Sequence, residues 1–385
     1  MKKLFYYLLV ILGTGCKEKY TLPFDPPPTG YLVIEGVINK GPDSTYLEIS
    51  RTNKINTQKQ YEKGAVVQVE GNDNSSFKLS EISTGRYAAA FTLNSSKQYR
   101  LRVKTLAGKE YLSDFVEVKT TPPIDSISWK YENDGLQLYT NTHDPQNKTI
   151  YYQWDYKETW EFHSEYKPVL KFNTRASSSG RIIPYIAYKD STTFGWDSTI
   201  FKCWRSSVSN QILIGSSAKL SKDLIYLPLL FIPQGDIKVS VLYSVLLKQY
   251  AISKNGYEFL EKMKKNTEET GSIFDPQPSA LAGNIHCLSD PNEPVVGYIN
   301  ISSVEQKRLF ISTYQVPQWR YYSGCIEVPT LNNPDSIFDA WSSGWQPTVP
   351  IEFSLSGDIK YFGVTTRECV DCTLSGTNVK PVFWP

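Results

Sequence analysis

Histidine is almost missing from this chain: His143, His163 and His286 are its three in 385 residues. Metal centres and acid–base sites built on several imidazoles have little to draw on, and there is no His-Glu-x-x-His helix. Also absent are a Gly-x-Ser-x-Gly elbow and a glycine-rich phosphate loop ahead of a helix, so neither motif supports a hydrolase or a nucleotide enzyme. A surplus of one charge is lacking too. The formal net charge of +2 falls to about zero once Lys2 and Lys3 are removed, and nothing points to nucleic acid. Beyond residue 12 no apolar run reaches membrane-spanning length, because Leu227–Ile232 is interrupted by Pro228 and closed by Pro233.

What the chain does have begins at its first residues. Met1-Lys2-Lys3 is a short positive region, Leu4 to Leu12 is an apolar run, and Gly13-Thr14-Gly15-Cys16 follows at once. A run of this length cannot cross ~30 Å of hydrocarbon, so it reads as an export signal rather than a resident helix. Small residues ahead of a cysteine suit a lipoprotein peptidase, which makes residues 1–15 the signal and Cys16 the lipidated first residue. Pro23, Pro26, Pro27 and Pro28 then stiffen residues 16–30 into a polyproline stalk.

From Tyr31 the hydropathy period is two. Val33, Glu35 and Val37 alternate with Leu32 and Ile34, and Tyr99-Arg100-Leu101-Arg102-Val103-Lys104 is apolar and basic by turns. About eight short strands at this spacing predict an immunoglobulin-like β-sandwich over 31–122, ended by Thr121-Pro122-Pro123. Residues 123–385 read as a larger β-rich, sandwich-like domain. In it, Tyr152, Trp154 and Tyr156 share a strand face, and residues 164–200 form a long loop without clear periodicity. One amphipathic helix is expected near 253–270, capped by Ser253, striped by Tyr257, Phe259, Leu260 and Met263, and stopped at Gly271. The fold class is therefore mainly β.

Twenty-six tyrosines suit sheet faces and the rims of binding surfaces. Trp319, Tyr321, Tyr322, Trp341 and Trp345 are the candidate contact residues, on loops where an apolar ring needs cover. If Cys16 carries lipid, Cys203, Cys287, Cys325, Cys369 and Cys372 remain, which predicts two disulfides and one spare thiol with the pairing open. Cys369-Val370-Asp371-Cys372 lacks the second pair or the His partner of a zinc knuckle, so no metal and no cofactor is expected. His286 and Cys287 are adjacent, which sends their side chains to opposite sides of a strand and argues against a Cys-His nucleophile. Ser216-Ser217-Ala218-Lys219 matches Ser-x-x-Lys without the Ser-Asp-Asn or Lys-Thr-Gly companions. Asp144, Asn147, Asp290, Asn292 and Glu293 lie in turn-rich stretches whose spacing is not that of a calcium loop. No catalytic residue is assigned.

Gly271-Ser272-Ile273-Phe274-Asp275-Pro276-Gln277-Pro278-Ser279, Gly283-Asn284-Ile285, Gly297-Tyr298, Cys369–Thr373 and Pro381-Val382-Phe383-Trp384 carry a family likeness, as do Thr159-Trp160-Glu161 and Val33-Ile34-Glu35-Gly36. Through them the chain resembles a Bacteroidota outer-membrane lipoprotein family, domain of unknown function 4249. The resemblance brings no activity and no catalytic residue. It implies an outer-membrane, lipid-anchored protein on the cell surface whose partners are the bilayer, through Cys16, and a TonB-dependent receptor. The expected function is that of a non-enzymatic accessory protein that helps such a receptor capture or retain a ligand. A scaffold or adhesin of an envelope complex is the alternative, with a hydrolase using an unrecognised site behind both.

Overall fold

Alternation builds the first layer as expected. In the strand Gln98–Lys104, Tyr99, Leu101 and Val103 are buried, while Arg100 and Arg102 bond Glu70 on the neighbouring strand Val66–Gly71 at 3.0 and 2.6 Å. The computed structural model describes residues 30–52, 58–189, 195–268, 283–316 and 319–385. The signal, Cys16, nearly all of the stalk, and the Gly271–Ser279 motif with its helix stop lie outside them.

The class is mainly β. Among the described residues thirteen strands join the first sheet, which curls so that Leu32, Ile34, Ile49, Val67, Val69 and Leu101 meet in one core. Three short strands complete it from far along the chain. Ile285–Cys287 pairs with Glu110–Ser113, Val295–Val296 runs parallel to Leu32–Glu35, and Ile301–Ser302 lies beside both Ile38–Asn39 and Val116–Lys119. Sequence reading assigned that stretch to the second domain. A strand is expected from sequence at Val295–Ile301, and the structure has two short ones there; segments of two or three residues have no period that assigns them to a sheet, so only the tertiary structure supplies their partners.

The second layer is a sandwich. A three-stranded sheet, Ile124–Glu132, Gly135–His143 and Leu224–Pro233, faces a five-stranded one whose central strands are Tyr151–His163 and Leu242–Ala251. Leu136, Leu138 and Ile232 from the first meet Tyr152, Trp154, Tyr156, Tyr243 and Val245 from the second. The predicted shared face of Tyr152, Trp154 and Tyr156 is thus the core face, and the odd-numbered residues of that strand point the other way.

A third, smaller core was not anticipated. Residues 164–200, read as a long loop, contain the antiparallel hairpin Leu170–Ala176 and Ile182–Tyr188 and the short helix α1, Ser198–Phe201. Leu170 packs with Ile337, Ala340, Phe362 and Val364 of the last sheet and its helix.

Helix α2, Lys254–Glu268, starts where predicted: Gly256 N–H donates to Ser253 Oγ at 3.0 Å, and the Glu261–Lys265 pair closes at 3.6 Å. Helix α3, Pro334–Ser342, is capped by Asn333 with proline in its first turn. Among the described residues no helix is long and apolar enough to cross a membrane.

Candidate functional site

The outer face of the first sheet and the outer face of the five-stranded sheet flank a half-open cleft of about 1020 Å3. Its first wall follows from the pleat. Thr45, Leu47 and Ile49 turn inward, so Tyr46 and Glu48 stand outside, beside Glu35 of the adjacent strand. Lys59 bonds both Glu35 and Glu48, and Arg86 Nε donates to Glu48 at 2.8 Å. Lys59 and Arg86 also lie over the ring of Tyr61, 5.9 and 6.0 Å from its centre.

The second wall is the odd-numbered face of Tyr151–His163. Asp155 pairs across the ladder with Lys248, and Lys157 with Leu246; Tyr250 and Gln306 continue the surface. Two carboxyls in the cleft have been pushed in opposite directions. Burial alone would raise Glu48, but hydrogen bonds from Lys59 and Arg86 prevail and hold it below the ordinary range. Asp155 is raised by burial, which the Tyr250 hydroxyl and Lys248 only partly offset.

The residues lining the cleft include no histidine or cysteine. Lys59 ties its two glutamates together, and Asp155, the carboxyl there that is held up, has the Tyr250 hydroxyl beside it. The cleft thus presents fixed charges together with the hydroxyls of Ser44, Tyr46, Ser209 and Tyr250. Among the described residues no group of three or more His, Cys, Asp or Glu could hold a metal ion.

The candidate contact residues are distributed differently. Trp319 packs against the sandwich core and donates Nε1–H to Asp236 O at 3.1 Å. Trp345 covers the third core, and Trp341 lies on helix α3 beside Phe338 rather than on a loop. Both tryptophans are half-buried, and Trp345 lies between helix α3 and the strand that follows it. Tyr321 is 38% and Tyr322 84% exposed, on a segment pinned nearby by Cys325.

Cys325 bonds Cys369 and Cys203 bonds Cys372, leaving Cys287 buried and free. The two ends of Cys-x-x-Cys thus hold different elements, a structural use. The histidines are dispersed: His143 contacts Asp125 at 2.7 Å, His163 contacts Glu161 at 3.1 Å, and His286 contacts Asp114 at 3.1 Å. As its strand alternation requires, His286 is exposed where Cys287 is buried. Ser216 ends a strand, so Lys219 is not one helical turn away, and Ser216 Oγ accepts from Ala218 N–H instead. Asp144 accepts the amides of Gln146, Lys148 and Thr149, and Asp290 that of Asn292, as turn residues do. Asn147 Oδ1 accepts from Asp223 N–H. Glu293 differs. It is buried against Lys109, Tyr111 and Arg51 of the first sheet. Sequence reading missed the cleft itself. Its residues come from distant segments, and each looked like an ordinary solvent face.

Residues 17–308 match the profile described as domain of unknown function (DUF4249). No curated protein matches. Among solved structures, a DUF4785 family protein of Legionella pneumophila is 11% identical, over 56% of this chain and 51% of its own, at a TM-score of 0.19. The chain thus spans about half of that protein. A putative membrane-anchored protein of Corynebacterium diphtheriae is 11% identical over 71% and 62%, at 0.15. The B domain of a biofilm-associated protein is 7% identical over 76% and 89%, at 0.17. At such scores nothing passes from those proteins to this chain.

Proposed function

The chain belongs to the DUF4249 family, and on that premise we propose that it is a lipid-anchored, non-enzymatic binding protein of the outer membrane that captures or retains a ligand for a TonB-dependent receptor. The observation that carries the reading is the cleft: a half-open groove of about 1020 Å3 whose glutamates are tied to basic partners rather than to a reacting group. Two disulfides support export, since such bonds persist in oxidising compartments. The apolar run Leu4–Leu12, with Cys16 just after it, supports a lipid tether that leaves the β body beside the bilayer. The cell surface is the side proposed.

The test is purification of the protein from native membranes, with intact-mass analysis and identification of what comes with it. A diacylated chain beginning at Cys16 and a β-barrel receptor in the same complex are expected. A water-soluble chain without fatty acids, or a complex without a barrel, would refute the reading. Tyr321 and Tyr322, exposed on a segment held by Cys325–Cys369, favour as second reading a scaffold that docks proteins. It predicts partners lost on Tyr322→Ala while the cleft remains intact.

A further inference from the structure

We propose that the inter-sheet cleft binds an uncharged carbohydrate chain, with Tyr46 as the stacking face and the Glu35, Lys59, Glu48 and Arg86 array as the hydroxyl-binding group. The proposal rests on the cleft being the capture site, and it adds the chemical class of what is captured.

Charge balance is the first argument. Four acids and four bases line the cleft, and the glutamates of the first wall are already neutralised by Lys59 and Arg86. A site selecting an anion or a cation needs a surplus of the opposite sign, which this lining does not have. The second argument is the state of those groups. A glutamate fixed by a lysine and an arginine keeps unused lone pairs, and the fixed cations keep unused N–H groups, all oriented before a ligand arrives. Neighbouring sugar hydroxyls, each both donor and acceptor, match such a mixed array without adding charge.

Tyr46 supplies the apolar component. It is 58% exposed, and its pleat position points it into the cleft from the strand that carries Glu48. An amphipathic ring at that place can cover the C–H face of a sugar while the rim hydroxyls reach the charged array. An extended peptide fits less well. Both walls are sheet faces whose strands use their amides in ladder bonds, so strand addition is unavailable there.

The experiment uses the full lipidated chain in detergent. It is titrated calorimetrically with maltohexaose, cellohexaose, xylohexaose and mannohexaose, with oligogalacturonate as the anionic arm and an unstructured hexapeptide mixture as the peptide arm. At least one neutral hexasaccharide is expected to bind, with a Kd that changes little between about 0.05 and 0.5 M salt. Tyr46→Ala is expected to weaken it by about tenfold, Tyr46→Trp to preserve it, and Glu48→Gln to weaken it. Binding confined to oligogalacturonate or peptide, no binding of any neutral sugar, or indifference to Tyr46→Ala would overturn the proposal. A protein that binds no neutral sugar yet still copurifies with a barrel receptor would sink this inference and leave the receptor reading standing.

Discussion

The indole of Trp384, next to the last residue, donates Nε1–H to Glu161 Oε2 at 3.0 Å in the buried outer face of the five-stranded sheet, 223 residues away. Phe310 meets the same indole edge-on, and the Arg308 guanidinium lies 3.6 Å from the ring centre of Phe383. The carboxy-terminal segment therefore covers one part of the sheet face whose other part floors the cleft.

Replacing Trp384 with Ala should cost about 3–5 kcal/mol, because it empties a packed aromatic site and removes a donor from a buried carboxylate. Trp384→Phe should cost less, since the ring volume is largely kept. Urea denaturation of both variants checks this, and equal losses would contradict it.

Glu161 should contribute an acid-sensitive share of stability. Burial alone would raise its carboxyl, but His163, Lys202 and Trp384 bond it and hold it below its ordinary value. A carboxyl depressed in the folded state stabilises above its unfolded value of about 4.5 and loses that contribution as pH falls through the lower folded one. Glu161→Gln should accordingly flatten the acid limb of a stability–pH curve.

Breaking Cys203–Cys372, which spans 169 residues, should cost no more than about 5 kcal/mol in the chain-entropy account, and Cys325–Cys369, spanning 44, about 4. The double Ala variant of each pair, melted with and without reductant, measures this. Alkylation in denaturant without reductant should label Cys287 alone if Cys16 is acylated, and a second label would show that it is not.

Glu293→Gln should destabilise by about 1–2 kcal/mol, since Lys109 and the Tyr111 hydroxyl lose a buried carboxylate while Arg51 keeps Glu62. Burial would raise Glu293, yet Lys109, Tyr111 and Arg51 hold it down. The loss should be full at neutral pH and shrink below the ordinary carboxylate range as the native group protonates. Hydrogen exchange should show Ile285–Ser302 opening first, because Glu293 fastens that segment to the first sheet.

Asp155→Asn runs the other way. A carboxyl raised by burial is destabilising when charged, so the variant should be as stable as the parent or up to about 1 kcal/mol more stable at pH 7. The gain should vanish below pH 3.8, where even the unfolded chain is protonated. A loss of stability at pH 7 would contradict it.

Periodicity made much of the β architecture legible. Tyr99, Leu101 and Val103 inward against Arg100 and Arg102 outward, and Tyr152, Trp154 and Tyr156 on one face, are local consequences of the pleat. The start of helix α2 was equally local, since Ser253 caps the turn that follows it. The hairpin over 170–188 escaped because Leu170–Ala176 places Asn173, Thr174 and Arg175 in succession, Ile182–Tyr188 is a mostly apolar run broken by Pro184 rather than an alternation, and their cover comes from helix α3 far away in the chain.

By itself the sequence determined the longer alternating strands and the faces they bury, the start of helix α2, and that the cysteines beyond Cys16 would form two disulfides and leave one thiol. The partners were decided only by the tertiary structure: Cys203 with Cys372, Glu161 with Trp384, Val295 with Leu32, and Glu35 and Glu48 with Lys59. A strand's pleat is set by its own backbone, whereas a cleft between two sheets depends on contacts across hundreds of residues, for which alternation carries no address.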